Sequence, residues 1–166
     1  MLATEQRIPR GNQNELLAAL RRRATDPATE TLEFIQRDVL NLAMRNTDNH
    51  ARNTAAQRTP DGVVRLTPVF DFAPMFLDSG LVPRSVHWRT PNGDRMTNWQ
   101  GVLDELANSC ILSPTEREVL AQDLRGFSAT VARLPELAIE CGVEMRVLQQ
   151  CLAAIDAQVR QLATLR

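Results

Sequence analysis

Apolar residues recur at three- and four-residue steps through most of the chain, a pattern typical of helices with one buried face. The first such segment covers residues 15–23 and ends in three consecutive arginines. A longer segment covers residues 30–45, after Asp26-Pro27, which combines a capping side chain with a proline suited to the first helical turn. The pattern therefore predicts two helices before residue 46, each with a buried stripe.

The C-terminal half is also predicted to be helical. One helix covers residues 98–109, and a second begins at residues 113–116, whose sequence Ser-Pro-Thr-Glu matches a capping box. Pro135 interrupts that second helix, and Cys141-Gly142 ends a short continuation. Because each apolar stripe is only about three heptads long, we expect packing within the domain and not a dimerising coiled coil. The two stripes are Leu120, Leu124, Phe127, Val131, Leu134 and Leu148, Leu152, Ile155, Val159, Leu162.

A single hairpin is predicted between the two helical regions. Two extended runs, 54–58 and 63–66, flank Thr-Pro-Asp-Gly at residues 59–62, and Pro-Asp-Gly favours a tight turn. Residues 75–97 are irregular, and residues 1–13 are predicted to be a loose lead-in. The predicted fold is mainly α (α+β), a single domain over residues 1–166 with one small β-hairpin.

Composition narrows the range of functions. The net charge of −1 gives no basic excess, so we expect no direct contact with nucleic acid. No apolar run approaches the roughly 20 residues of a membrane helix, and no signal-peptide core is present, so we expect a cytoplasmic protein without a membrane partner. Cys110, Cys141 and Cys151 lack metal-binding spacing and are predicted to be reduced and mostly buried.

The polar stretch 46–53, Asn-Thr-Asp-Asn-His-Ala-Arg-Asn, lies between the long helix and the hairpin. Asp48 and Asn53 have the spacing of the proton-accepting Asp and the metal-binding Asn in a protein-kinase catalytic loop. Asp71-Phe72 follows the hairpin, where kinases place a second metal-binding Asp. One amide oxygen and one carboxylate suit Mg²⁺, because waters and phosphates complete its shell.

These motifs, residues 45–53 and 66–75, resemble the C-terminal domain of the HipA family of bacterial serine/threonine kinases, several of which are toxins of toxin–antitoxin pairs. The resemblance implies a kinase-like C-terminal lobe that uses ATP and Mg²⁺ to phosphorylate a protein hydroxyl. It implies Asp48 and His50 as the catalytic residues, with Asp48 as the base and His50 either ordering the loop or supporting the metal site. Asn46, Asn53 and Asp71 would be cofactor-binding residues. Asn53 and Asp71 would be the metal ligands. Arg45 replaces the glycine of the family pattern, a change expected to be tolerated at a helix end.

The sequence also lacks parts that a kinase needs. It contains no lysine and no glycine-rich phosphate loop, so we expect an incomplete active site, a missing nucleotide-binding lobe and an inactive isolated chain. The resemblance implies such a lobe or a helix-turn-helix antitoxin as partner. One alternative is a non-catalytic interaction or decoy module. Another is a metal hydrolase that uses Asp48, His50 and Asp71.

Residues 84–89, Arg-Ser-Val-His-Trp-Arg, lie where a kinase has its activation segment. Their Trp and two Arg either contact a substrate or close the edge of the core, and the sequence leaves both interpretations open.

Overall fold

The computed structural model describes residues 11–78, 80 and 83–166. Within these residues the chain forms six α-helices and one two-stranded sheet, and 3₁₀ turns cover Ala51–Asn53 and Met75–Leu77. The helices are α1 Gln13–Arg21, α2 Pro27–Ala43, α3 Trp99–Asn108, α4 Pro114–Ala132, α5 Leu134–Glu140 and α6 Met145–Ala163, and the strands are β1 Ala56–Arg58 and β2 Val64–Leu66. The mainly helical fold with one small hairpin is confirmed.

Side-chain caps fix where the helices begin. Asp26 Oδ1 accepts hydrogen bonds from the backbone N–H of Ala28 and Thr29, both at 3.1 Å, and so caps α2. Ser113 and Glu116 form the reciprocal capping box of α4. These contacts satisfy N–H groups that have no partner inside a helix, so the start signals in the sequence are confirmed.

The helices pack around α2. This helix contacts α1, α4 and α6, and α4 also packs along α6. Leu124 of α4 and Leu148 and Ile155 of α6 are among the most completely buried side chains. The two C-terminal stripes therefore meet within one core, as predicted, except that Leu152 of the second stripe is 40% exposed.

The hairpin is attached to the start of α2. Ala56 pairs with Leu66 in an antiparallel register, and Gly62 in the turn has a φ of +90°, which glycine adopts without steric cost. Glu30 Oε2 of α2 accepts a hydrogen bond from the Leu66 backbone N–H at 2.7 Å. This contact fixes the hairpin against the first turn of α2.

Two predictions need correction. Cys110 and Cys141 are exposed and only Cys151 is buried, because Cys110 lies in the turn after α3 and Cys141 ends α5. The lead-in was predicted too long: Asn12 caps α1 and Gln13 is buried in its first turn, while residues 1–10 lie outside the described part. None of the described helices is long and apolar enough to cross a lipid bilayer.

Candidate functional site

The polar loop begins where the backbone leaves α2 in a strained conformation. Arg45 has a φ of +55°, in the left-handed region that non-glycine residues seldom adopt. Its guanidinium carbon lies 4.4 Å from the centre of the Phe76 ring, and its Nη1 donates to the Gln150 carbonyl of α6 at 3.2 Å. These contacts explain how an arginine is held where the related pattern has glycine.

Hydrogen bonds inside the loop define its shape. Asn53 Nδ2 donates to the backbone carbonyl of Asp48 at 2.8 Å, so the two ends of the predicted motif are joined directly. His50 Nε2 lies 3.7 Å from Asp48 Oδ1. The side chains of Asp48 and His50 are each 29% exposed, so the Asp48 carboxylate is accessible to a second molecule. His50 Nε2 is therefore near the carboxylate of the candidate base.

Asn46 connects the loop to the acidic turn after the hairpin. Its Nδ2 donates to Asn41 Oδ1 at 2.8 Å and makes a longer contact of 3.4 Å with the Asp71 carbonyl. Asp71 is exposed and has a φ of +55°. Strained backbone of this kind is concentrated at functional sites, although strain alone does not identify one. Asn46 therefore joins the end of α2 to the acidic turn.

A cavity of about 110 Å³ brings three of the predicted site residues together. Asn46, Asn53 and Asp71 line it, together with Asn49, whereas Asp48 and His50 do not. The Oδ1 atom of Asn46 is buried and has no hydrogen-bond partner among the described residues. An unpaired oxygen beside one carboxylate fits a Mg²⁺ shell completed by phosphates and water.

Apolar side chains border the same cavity. Val69, Phe70 and Phe72 line it and are exposed to between 43% and 52%. Within the described part of the chain, no three Asp, Glu, His or Cys side chains come close enough to hold a metal ion by themselves. Asp48, His50 and Asp71 therefore do not form such a cluster.

Asp38 of α2 is a buried carboxylate that was not predicted as a site residue, and it contacts the polar loop. Asp38 of α2 is 2% exposed. Its oxygens accept hydrogen bonds from Arg84, at 2.6 and 2.8 Å, and from Asn49 at 2.8 Å. Trp88 Nε1 and Gln13 Nε2 also donate to it, at 2.8 and 3.2 Å. Asp38 thus joins α1, the loop and the 84–88 segment. A signal existed, because Asp38 lies on the apolar face of α2, three or four residues from Phe34 and Ile35.

The contacts of Asp38 bear on the two interpretations of residues 84–89. Trp88 and Val86 are buried, and Arg84 forms an ion pair with Asp38 at 2.6 Å. These three side chains therefore help to close the edge of the core.

Comparisons with known proteins agree with this architecture. The family model of the HipA-like C-terminal domain matches residues 2–133. Among solved structures, HipA in the complex of Shewanella oneidensis MR-1 HipA, HipB and operator DNA matches with a TM-score of 0.56 at 18% identity. That match covers 92% of this chain and 34% of HipA, so the chain spans about a third of that protein's length. None of the curated proteins searched matches the chain. The family-model match covers most of the sequence, and the chain belongs to the HipA-like C-terminal domain family.

Proposed function

We propose that this chain supplies the catalytic loop and the metal-binding residues of a serine/threonine kinase, which transfers a phosphoryl group from ATP to a protein hydroxyl. The observation that carries the proposal is the cavity shared by Asn46, Asn53 and Asp71. Asn46 and Asp71 are 25 positions apart in sequence and are brought into contact by the hairpin. Phosphoryl transfer needs positioned oxygen ligands and a proton acceptor more than it needs covalent chemistry from the protein.

Asp48 is the proposed proton acceptor. Its carboxylate is partly exposed, so a substrate hydroxyl can reach it, and His50 lies 3.7 Å away on the same loop. Because Asn53 donates to the Asp48 carbonyl, the loop holds the base and a metal ligand in a fixed relation. This arrangement orients the attacking hydroxyl before transfer, which is the main contribution that a protein makes in this reaction class.

Asn53 and Asp71 are the proposed ligands of Mg²⁺, and Asn46 supports the nucleotide site. The Asp71 carboxylate and the Asn53 side-chain oxygen would contact the ion, and the unpaired Asn46 Oδ1 would accept from its coordinated water. When bound, Mg²⁺ neutralises charge on the phosphates of ATP. The exposed Val69, Phe70 and Phe72 beside this site support a further proposal, that a nucleotide-binding lobe packs there.

A binding role without catalysis is the second candidate, and the same exposed apolar residues favour it. HipA of Shewanella oneidensis is found in a complex with HipB and operator DNA. We therefore propose an antitoxin of the HipB type as a partner of the protein that contains this domain. In this second role the apolar surface would bind protein, and the conformation of Asp71 would have no catalytic consequence.

A labelled-phosphate transfer assay separates the two roles. Because the chain contains no lysine and no glycine-rich loop, we expect no transfer by residues 1–166 alone. Addition of the nucleotide-binding lobe of a HipA kinase should restore transfer to a protein acceptor, and Asp71→Asn should abolish the restored activity. Asp156→Asn, at an exposed position on α6, is the matched control. Restored transfer that is unchanged in Asp71→Asn would contradict the metal assignment, and no transfer in any combination would favour the binding role.

A further inference from the structure

A second cavity, of about 230 Å³, lies between α2, α3, α6 and the 84–88 segment. Its apolar walls include Leu42, Trp88, Met96, Trp99 and Val102. An apolar cavity of about 150 Å³ is large enough to bind benzene, so this one has room for one aromatic ring with a substituent. None of the residues proposed for phosphoryl transfer lines it.

The indole N–H groups of the two tryptophans that line this cavity already have hydrogen-bond partners. Trp88 Nε1 donates to Asp38 at 2.8 Å, and Trp99 Nε1 donates to Gln158 Oε1 at 2.7 Å. The two indole rings meet edge to face, with centres 6.4 Å apart. Both rings are therefore held rigidly and can contact a guest through their carbon surfaces, which favours another aromatic ring.

One polar group of the cavity lining has no partner. Arg84 uses Nε to bind the Val86 carbonyl and Nη2 to bind Asp38, both within 2.8 Å. Its Nη1 is buried and has no hydrogen-bond partner among the described residues. A buried donor without an acceptor is costly, and a ligand acceptor that reached Nη1 would remove that cost.

The surroundings favour an acceptor with negative charge. Burial lowers the pKa of His87, another lining residue, and its hydrogen bond with the Arg84 carbonyl raises that pKa, while Arg95, Arg84 and Arg89 lower it, so three arginines lie near this part of the cavity. The cavity also lies at the N-terminal end of α3, where the helix dipole favours anions. Aromatic walls, an unpaired guanidinium N–H and the nearby arginines together fit an aromatic carboxylate.

We infer that this cavity is a binding site for a small aromatic carboxylate, with the ring against Trp88 and Trp99 and the carboxylate accepting from Arg84. Asp38 connects the site to the polar loop, because its Oδ1 accepts hydrogen bonds from both Arg84 and Asn49. A ligand that binds Arg84 therefore affects the polar loop through the hydrogen bonds of Asp38. The site itself does not depend on the proposed phosphotransfer.

Intrinsic fluorescence gives a direct test. The chain has two tryptophans and no tyrosine, and both tryptophans line the cavity. Tryptophan fluorescence therefore reports on this site alone. Titration of the full chain with benzoate should change the emission saturably. Benzamide, which keeps the ring and an acceptor without the charge, should bind about tenfold or more weakly, since a hydrogen bond to a charged group is roughly twice as strong as a neutral one. No saturable change with benzoate, or equal affinity for both probes, would overturn the inference.

Three variants locate the binding. Leu42→Phe narrows the cavity and should weaken benzoate binding about tenfold or more. Leu32→Phe is its matched control, because Leu32 lies on the same helix, is also half-buried, and lines a different cavity. Arg84→Lys keeps a cation for Asp38 but replaces the planar guanidinium, with its separate Nη1 and Nη2 donors, by one ammonium nitrogen, so it too should weaken binding about tenfold. Wild-type affinity in Leu42→Phe or Arg84→Lys, measured after circular dichroism confirms folding, would contradict the assignment.

The connection to the loop has its own readout. Saturating benzoate should slow amide hydrogen exchange in residues 46–53 of the wild-type chain at least twofold, whereas Leu42→Phe should show no such change at the same concentration. Benzoate binding without any change in exchange of residues 46–53 would refute the connection through Asp38.

Discussion

Replacing Asp38 by Asn should destabilise the whole domain. The carboxylate is 2% exposed, pairs with Arg84 and also accepts from Gln13, Asn49 and Trp88. An amide removes the negative charge and turns one acceptor into a donor that faces other donors. Breaking a buried ion pair from one side costs about 3–5 kcal/mol, because the remaining charge stays buried. For a domain of this size, that loss corresponds to a fall of roughly 6–20 °C in the melting temperature.

Urea denaturation followed by circular dichroism measures this loss, with Asp156→Asn as a control expected to stay within about 0.5 kcal/mol of wild type. The double variant Asp38→Asn/Arg84→Met should lose less than the sum of the two single variants, because Arg84→Met removes the charge that Asp38→Asn leaves unpaired. A loss below about 1 kcal/mol in Asp38→Asn would refute the role of this carboxylate as the centre of the network.

Three further predictions concern other contacts. The hydrogen bond from Arg21, with those from Ser113, lowers the pKa of Glu116 to about 2, so its stabilising effect is present above about pH 4.5 and is lost as the pH falls towards 2. Glu116→Gln should therefore lower the urea midpoint at pH 7 but have little effect on it near pH 2. Glu118→Gln, at an exposed position, is the control. A change in midpoint that does not depend on pH, or an equal change in Glu118→Gln, would contradict this prediction. Arg45 has a left-handed backbone, so the free energy of unfolding should be about 1 kcal/mol higher for Arg45→Gly than for Arg45→Ala in urea denaturation. Equal stabilities of the two variants would show that the backbone is not strained there. Asn53→Ala should abolish any phosphotransfer restored by an added nucleotide lobe while circular dichroism shows a folded domain, and wild-type transfer rates would remove Asn53 from the proposed metal site.

Local signals in the sequence predicted the fold well. Asp26-Pro27, the capping box at Ser113 and the Pro-Asp-Gly turn each act within a few residues, and each appears in the structure where it was expected. The break at Pro135 is also local, because proline cannot continue the hydrogen bonding of the preceding helix. Such signals depend on near neighbours in the chain and are therefore readable without tertiary information.

The candidate site was predicted in part, because its remaining contacts are long-range. The order of helix, polar loop, hairpin and acidic turn predicted that Asp48, Asn53 and Asp71 converge on one pocket. The cavity contains Asn53 and Asp71, together with Asn46, but Asp48 does not line it. The Asp38 network joins residues up to 50 positions apart, so no local pattern specified its partners. The exposure of Cys110 and Cys141 likewise depends on where helices end relative to the core. Cysteine is often buried, so burial was predicted for both residues, but their positions at the ends of helices leave them exposed.

The central claim, that the loop and the acidic turn together hold metal and phosphate, is tested most directly by paramagnetic broadening. Mn²⁺ replaces Mg²⁺ in a titration of the isotope-labelled 166-residue chain with ATP, and backbone amide signals report which residues lie near the ion. We predict selective broadening of residues 46–53 and 69–73 that requires ATP and is lost in Asp71→Asn but kept in Asp156→Asn. Broadening confined to other parts of the chain, or identical in Asp71→Asn, would contradict the claim.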